Sequence, residues 1–315
     1  MIDFRYHLVS IVSIFLALAV GIVLGAGPLK EDIGNTLTSE VKNLRDDKAA
    51  LRAELDSATK GNQARDDFTA ASNRTLLSGR LTGTTVSVVV LPGAEGALVK
   101  STTDTLTAAG AKIGSTVTVL DSWIDPGKAS FRSSLGQQLA HEVEVPAGQS
   151  SGDVVVDQVL ARAIEAKPGT TPAPGATAAL ESLRNGDLVR YTPDHITPGT
   201  VAVVVAGPVT GPDAATRDTR AQALSAIAGA MDSAGAGAVL VAPTLPVTVK
   251  DQGSVVATVR ANGDIAKVLT TVDDGDVPMG QASVVLGLIE QESGKSGHYG
   301  LAGDADATFP QLTTK

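Results

Sequence analysis

The chain has 315 residues, 43% hydrophobic and 19% charged, with 25 Lys and Arg against 34 Asp and Glu and a formal net charge of −9. This composition excludes a disordered chain, and the acidic balance argues against a nucleic-acid binder, which needs a basic face for phosphates. With no Cys and only 3% aromatics, there is no disulfide framework, thiolate metal site or Cys nucleophile, and aromatic stacking platforms and β-barrel girdles are disfavoured.

Residues 1–7 form a short flank. Leu8 to Gly27 then read LVSIVSIFLALAVGIVLGAG, without a charge. As a helix this run spans about 30 Å, the thickness of a bilayer core. Ser10 and Ser13 can bond back to the helix backbone, so they do not forbid insertion. Gly21 and Gly25 form a small-xxx-small pair that would let a second helix approach. The rival reading is a cleaved signal peptide. The run is longer than a signal's apolar region, and Leu24-Gly25-Ala26 is a poor cleavage site. The reading adopted is an uncleaved anchor over 8–28. Arg5 is the cation before the span, so the positive-inside rule places the large C-terminal remainder outside the cytoplasm.

After Pro28 the period changes. Leu37, Val41, Leu44, Lys48, Leu51, Leu55, Ala58 and Asn62 follow steps of four and three. This spacing puts Leu37, Leu44 and Leu51 at heptad position d and Val41, Lys48, Leu55 and Asn62 at a. Such a seam must be covered by another helix, and Leu at d with polar residues at a favours two parallel strands. Arg45, Asp46, Asp47, Arg52 and Glu54 flank it. The plainer alternative is an amphipathic helix packed on its own domain. The segment 29–78 is assigned as a coiled-coil stalk, ending near Lys60-Gly61-Asn62 or later at Ser78-Gly79. Its partner is a second copy or another envelope protein.

From Thr84 onward, short apolar runs alternate with helical patterns. Strands are expected at Val86–Leu91, Thr116–Leu120, Val201–Ala206, Ala238–Ala242 and Val268–Val272. Helices are expected at Gly96–Ala109, Ala214–Ala234 (with Leu224, Ile227 and Met231 at helical spacing) and around Val284–Glu290. Strands alternating with helices imply βα units and a mainly parallel sheet. Continuous Val-rich strands suit a sheet covered on both faces and do not suit a membrane barrel. Residues 79–315 therefore read as one α/β domain. The Pro/Gly/Thr run Lys167–Gly175 is expected as a mobile surface loop.

Several common catalytic motifs are absent: there is no phosphate-binding G-x-x-x-x-G-K-[ST], no G-x-G-x-x-G after a strand and no H-E-x-x-H. His141-Glu142 reads as a solvated pair. The chain is therefore read as a non-enzyme with no resident cofactor. The densest polar cluster is Thr271-Val272-Asp273-Asp274-Gly275-Asp276, with Gly297-His298-Tyr299-Gly300 downstream. Asp273, Asp274, Asp276 and His298 sit where a parallel sheet usually binds ligands and are the candidate hard-cation ligands. The plainer and preferred reading is a turn whose aspartates cap the next helix, with His298 bonded to backbone.

The opening MIDFRYHLVSIVSIFLALAVGIVLG, the heptad helix beside it, TVDDGD and the terminal GHYG together resemble the actinobacterial MctB family, mycobacterial copper transport protein B. The resemblance runs over essentially the whole chain and is most specific at its ends. It implies a cell-envelope protein of copper efflux and homeostasis, with copper as the transported species, described as channel-forming in the mycobacterial outer membrane. It also implies partners in cell division and envelope remodelling, as for corynebacterial relatives. No metal-ligand motif comes with it. A pore needs a barrel or several spans, and this chain offers one span and no barrel pattern. Either copies of the helix assemble, or the chain is a membrane-anchored scaffold or regulator whose effect on copper is indirect.

Overall fold

The computed structural model describes residues 4–25, 29–146, 148, 154–245 and 251–311, with side chains of the second helix described from residue 37. Ala26, Gly27 and Pro28, at the end of the expected anchor, lie outside the described residues. Contacts divide the chain at Arg65–Asp66 into two compact units.

The first unit is helical. Helix α1 is Phe4–Gly25, with no buried residue. It is long and apolar enough to cross a membrane. Ser13 donates from Oγ to the Val9 carbonyl, 2.9 Å away, which keeps its hydroxyl satisfied in an apolar surround. Gly21 and Gly25 have open space where a Cβ would stand. Helix α2, Leu29–Leu76, is 48 residues long and passes through Gly61 without a break. Gly in a helix interior costs only about 1 kcal/mol, which the flanking helix-forming residues absorb. Arg65 donates to Asn62 Oδ1 at 2.9 Å, bracing this stretch. The earlier expected stop, at Lys60–Asn62, is therefore not used.

The second unit is a sheet covered on both faces. Its strands are β1 (Thr85–Val90), β2 (Lys112–Val119), β3 (Val189–Thr192), β4 (Val201–Val205), β5 (Ala238–Val241), β6 (Thr270–Val272) and β7 (His298–Tyr299). They lie in the order β3-β2-β1-β4-β5-β6-β7. Neighbours pair in parallel except β2 with β3, which is antiparallel. The sheet is thus mainly parallel and doubly wound, and its strand order reverses between β1 and β4.

Alternation along the strands divides the core into two layers. Val86 and Val88, Val201, Val203 and Val205, and Val239 and Val241 face α3 (Gly96–Ala108) and α10 (Pro278–Glu292). Val89, Ala202, Val204 and Leu240 face the other layer, built from α4 (Ala129–Ala140), α5 (Val155–Ile164), α6 (Ala176–Asn185), α7 (Ala214–Ala234) and α8 (Val255–Ala261). Burial on both faces explains why the strands read as continuous Val runs. Leu224, Ile227 and Met231 of α7 are buried as their spacing requires. The short helix α9, Gly263–Ala266, follows α8. The end of α2 belongs to this unit: Leu77 is buried beside it, and Asn73 donates to the Pro278 carbonyl at 2.7 Å.

Helices α4, α5, α6, α8 and α9 and strands β3 and β7 are not among the expected elements, and the strand expected from Val268 begins only at Thr270, with Val268 exposed. His141 and Glu142 are solvent-exposed. Lys167–Gly175 runs over the surface between α5 and α6, and Gly175 N donates to the Glu142 carbonyl at 3.0 Å.

At the reversal point the turns after β1 and β4 meet. A Cβ on Gly207 would stand 1.8 Å from the Gly93 oxygen, and one on Gly93 would stand 2.7 Å from the Pro208 oxygen. Leu91 N donates to the Val205 carbonyl just beneath, at 2.9 Å. Doubly wound sheets usually open a ligand crevice here. In this chain, backbone packs against backbone across it.

One buried carboxyl lies at the opposite end of the strands. Glu165 is 3% exposed, and neither of its oxygens has a hydrogen-bond partner. Its oxygens occupy the space that Cβ atoms on Gly199 and Gly235 would need. Burial raises its pKa well above the carboxylate range, with Ser87 opposing. The Ser87 hydroxyl is otherwise engaged, donating to the Ile164 carbonyl and accepting from Gly199 N.

Candidate functional site

The sequence-predicted cluster lies at the C-terminal ends of β5 and β6. Thr270–Val272 forms β6, fully buried, so Asp273 and Asp274 leave the sheet where the backbone turns outward. Facing them is Arg260 of α8. Val255, Val256 and Val259 bury one side of that helix and fix where Arg260 points. The Arg260 side chain is 4% exposed and every nitrogen is used. Nε donates to Thr271 Oγ1 at 2.9 Å, Nη1 to Asp273 Oδ2 and Asp304 Oδ1 at 2.7 Å each, and Nη2 to the Tyr299 carbonyl at 2.9 Å. Asp273 Oδ1 accepts from Leu301 N at 2.7 Å and Ala302 N at 3.1 Å. The arginine and Asp273 together fasten the 299–304 segment onto the sheet.

The other predicted residues go elsewhere. Asp276 Oδ1 accepts from Thr244 N at 2.7 Å and Thr244 Oγ1 at 2.9 Å, joining the turn after β5 to the turn after β6. His298 Nδ1 pairs with Thr271 Oγ1 at 2.9 Å. Burial lowers the His298 pKa, Asp306 opposes that shift and Arg260 adds to it, so the ring is neutral at neutral pH. Tyr299 donates to Glu290 Oε2 at 2.6 Å; burial, and then Glu290, raise its pKa far above the usual phenol value.

Helix capping, the preferred expectation, is therefore corrected. Helix α10 starts on Val277 without a side-chain cap and with Pro278 in its first turn. His298 bonds a side chain and not the backbone. As cation ligands the four candidates do not converge: among the described residues no group of three or more His, Asp or Glu could hold a metal ion. Asp273 is already committed to a guanidinium and two N–H groups.

Asp274 differs from its neighbours. It is fully buried, and neither carboxyl oxygen has a hydrogen-bond partner. Burial, and then the Asp273 charge, push its pKa up to about 7. The folded state thus binds a proton more tightly than the unfolded chain, whose Asp titrates near 3.8. Stability from this group is full below about pH 4 and is lost as pH rises to about 7. The full shift converts to about 4 kcal/mol, and relaxation around the buried carboxyl reduces it to about 2 kcal/mol. Asp274→Asn is expected to raise stability at pH 8 by about that amount and flatten the profile between pH 4 and 7. Urea unfolding at both ends of that range checks it; equal losses at both would refute it.

Beside the cluster lies a cleft of about 470 Å³ walled by Pro243, Thr244, Val256, Ala257, Arg260 and the 301–304 segment. Of its polar groups, Arg260, Asp273 and Asp304 hold the segment down, Thr244 bonds Asp276 and Ser254 caps α8. Arg260 escapes a reading based on motifs because one arginine carries no spacing signature. Upstream of the three carboxylates the sequence offers both Arg260 and Lys267, and nothing in their spacing selects Arg260.

A family described as copper transport outer membrane protein, MctB, matches residues 1–310. Two proteins named copper transporter MctB, from Mycobacterium bovis and Mycobacterium tuberculosis, are each 28% identical over 310 residues, covering 95% of this chain and 96% of the relative. One of the same name from Mycobacterium leprae is 28% identical over 325 residues, covering 99% and 100%. The match takes in the apolar helix, the long helix and the whole sheet unit, and on that extent the chain belongs to the MctB family.

Proposed function

We propose that this chain is a membrane-anchored component of MctB-type copper efflux, with its sheet unit outside the cytoplasm, and that it works as an assembly. The observation that carries this is the family match from residue 1 to residue 310. Relatives that align along almost their whole length bear the name copper transporter, which supports copper as the cargo. A polar path through a bilayer has to be enclosed by several spans or a closed barrel. Among the described residues one helix, α1, is long and apolar enough to span. Copper passage on this reading therefore draws on several copies or on a second envelope protein, whether in the inner or the outer membrane. No ligand role falls to Asp273, Asp276 or His298, whose polar atoms hold the fold together.

A second reading is favoured by the exposed row on α2, where Leu44, Leu51 and Leu55 are 69%, 66% and 66% exposed. It makes the chain an envelope scaffold or regulator of remodelling and division. One experiment separates the two. Total cellular copper is measured in a deletion strain at fixed external copper, complemented with the full-length gene or with one lacking residues 37–64. The expected result is copper that rises on deletion and falls back only with the full-length chain. Unchanged copper with altered septation would overturn the transport reading in favour of the scaffold.

A further inference from the structure

We propose that residues 37–62 of α2 pair with the same residues of a second copy as a parallel, in-register, two-stranded coiled coil. This deepens the assembly reading above but stands on different observations.

The seam is uncovered in the single chain. Leu37, Val41, Leu44, Leu51 and Leu55 are 59%, 41%, 69%, 66% and 66% exposed. A lone helix with this row in water would leave five large apolar side chains hydrated, and pairing removes them from water.

The charges beside the seam select the occupant and its direction. With Leu37, Leu44 and Leu51 at d and Val41, Lys48 and Leu55 at a, the g positions are Glu40, Asp47 and Glu54, and the e positions include Arg45 and Arg52. All g charges are acidic and both e charges are basic. In a parallel pair each g side chain faces the e side chain five residues further along the other helix. Glu40 then meets Arg45 of the second copy, and Asp47 meets Arg52, in both directions. In an antiparallel pair g faces g and e faces e, setting acid against acid and arginine against arginine. A slip of one heptad keeps three such pairs against the four in register: Glu40 faces Arg52 on one side, Asp47 faces Arg45 and Glu54 faces Arg52 on the other, and one Asp47 is left opposite Thr59. It also sets Lys48 against Val41 or Leu55, where only the in-register pair lets both lysines of one layer snorkel together toward Asp47. Asn62 at a adds a second polar layer that is matched only in register. Among the described residues, no ion pair within the chain engages Glu40, Arg45, Asp47 or Arg52. Their charges are left for a partner with the same pattern, and anchoring in one membrane raises its effective concentration.

The chain has no Cys, so one introduced cysteine is its only thiol. Full-length Leu37→Cys, Leu51→Cys and Ala53→Cys chains are oxidised in native membranes. Leu37 and Leu51 lie about 21 Å apart along the helix, and Ala53 faces away from the seam. The expected result is a disulfide dimer at both leucine positions, on the order of tenfold more than at Ala53, because bridging demands Cα atoms within about 7 Å. Dimer at one leucine position alone would mean an antiparallel pair and would overturn the proposal. So would dimer at neither, or equal dimer at Ala53. A second arm places Leu51→Cys in two charge variants, Arg45→Glu/Arg52→Glu and Glu40→Lys/Asp47→Lys. Each alone should lose most of the dimer and the two co-expressed should regain it. Undiminished dimer in either alone would overturn the charge assignment. None of these readouts involves copper, so a failed pairing and a failed transport reading are told apart.

Discussion

Arg260→Met is expected to destabilise the sheet unit by about 3–5 kcal/mol, the usual cost of removing one partner from a buried ion pair. For a unit of this size that lowers the melting temperature by about 10 °C. The side chain makes four kinds of contact at once, to Thr271, Asp273, Asp304 and the Tyr299 carbonyl. Methionine fills the volume but leaves the Asp273 side chain, 11% exposed, with its charge uncompensated. Arg260→Lys restores charge without the planar fork and recovers part of the loss. Asp304→Asn, at a partner side chain 47% exposed, should cost under about 1 kcal/mol. Adding Asp273→Asn to Arg260→Met should recover stability, because the stranded charge is then gone. Thermal melts followed by circular dichroism measure all four. If Arg260→Met melts with the parent chain, the fastening role of this pair is wrong.

Gly207→Ala is expected to cost at least about 3 kcal/mol, at the upper end for overpacking a tight contact. The new Cβ would lie 1.8 Å from the Gly93 oxygen and 2.2 Å from its carbonyl carbon. Both are backbone atoms at the ends of the central strands, so no side chain can rotate away. Gly93 cannot yield readily either, since its φ is +86° and the space its own Cβ would need is taken by the Pro208 oxygen, 2.7 Å away. Gly96→Ala, in the first turn of α3 with nothing within 4 Å of the added carbon, is the control. It should be neutral or gain about 0.5 kcal/mol from helix propensity. Soluble yield and melting temperature of the two variants decide the matter; equal melting would mean that the two turns can part without penalty. The same contact explains why the usual nucleotide-binding crevice is filled in this sheet.

Much of the fold was legible from local pattern. The strands β1, β4 and β5 are buried on both faces, and such strands read as Val runs bounded by Pro or Gly. Helix α7 begins and ends where its residues suggest, with Asp213 accepting from Thr216 N at its start. Helix α5 was not legible although its apolar residues recur at helical spacing around Asp157, Gln158 and Arg162, because ten residues give the period too few turns to stand out. Strand β3, VRYT, is short, antiparallel and half polar, as edge strands are. The candidate site was half legible. Asp273, Asp274 and Asp276 do follow β6 and His298 lies in the neighbouring β7, but Asp273 bonds Arg260 and the 301–302 backbone, Asp276 bonds Thr244, His298 bonds Thr271, and Asp274 has no partner. Those partners are set by the packing of α8 and the C-terminal segment, which no local spacing encodes.

The sequence by itself determined the apolar run from Leu8 that forms most of α1, the heptad row of α2 with its acidic g and basic e positions, and the mainly parallel sheet. Each is a periodic or compositional property, written in consecutive residues. Only the tertiary structure decided that Asp273 neutralises a buried arginine, that Asp274 has no partner, and that Gly93 and Gly207 close the point where the strand order reverses. Each of these depends on which atoms meet across tens to more than a hundred residues of chain. Burial and pairing, and not residue type, set what a carboxylate or a glycine does there.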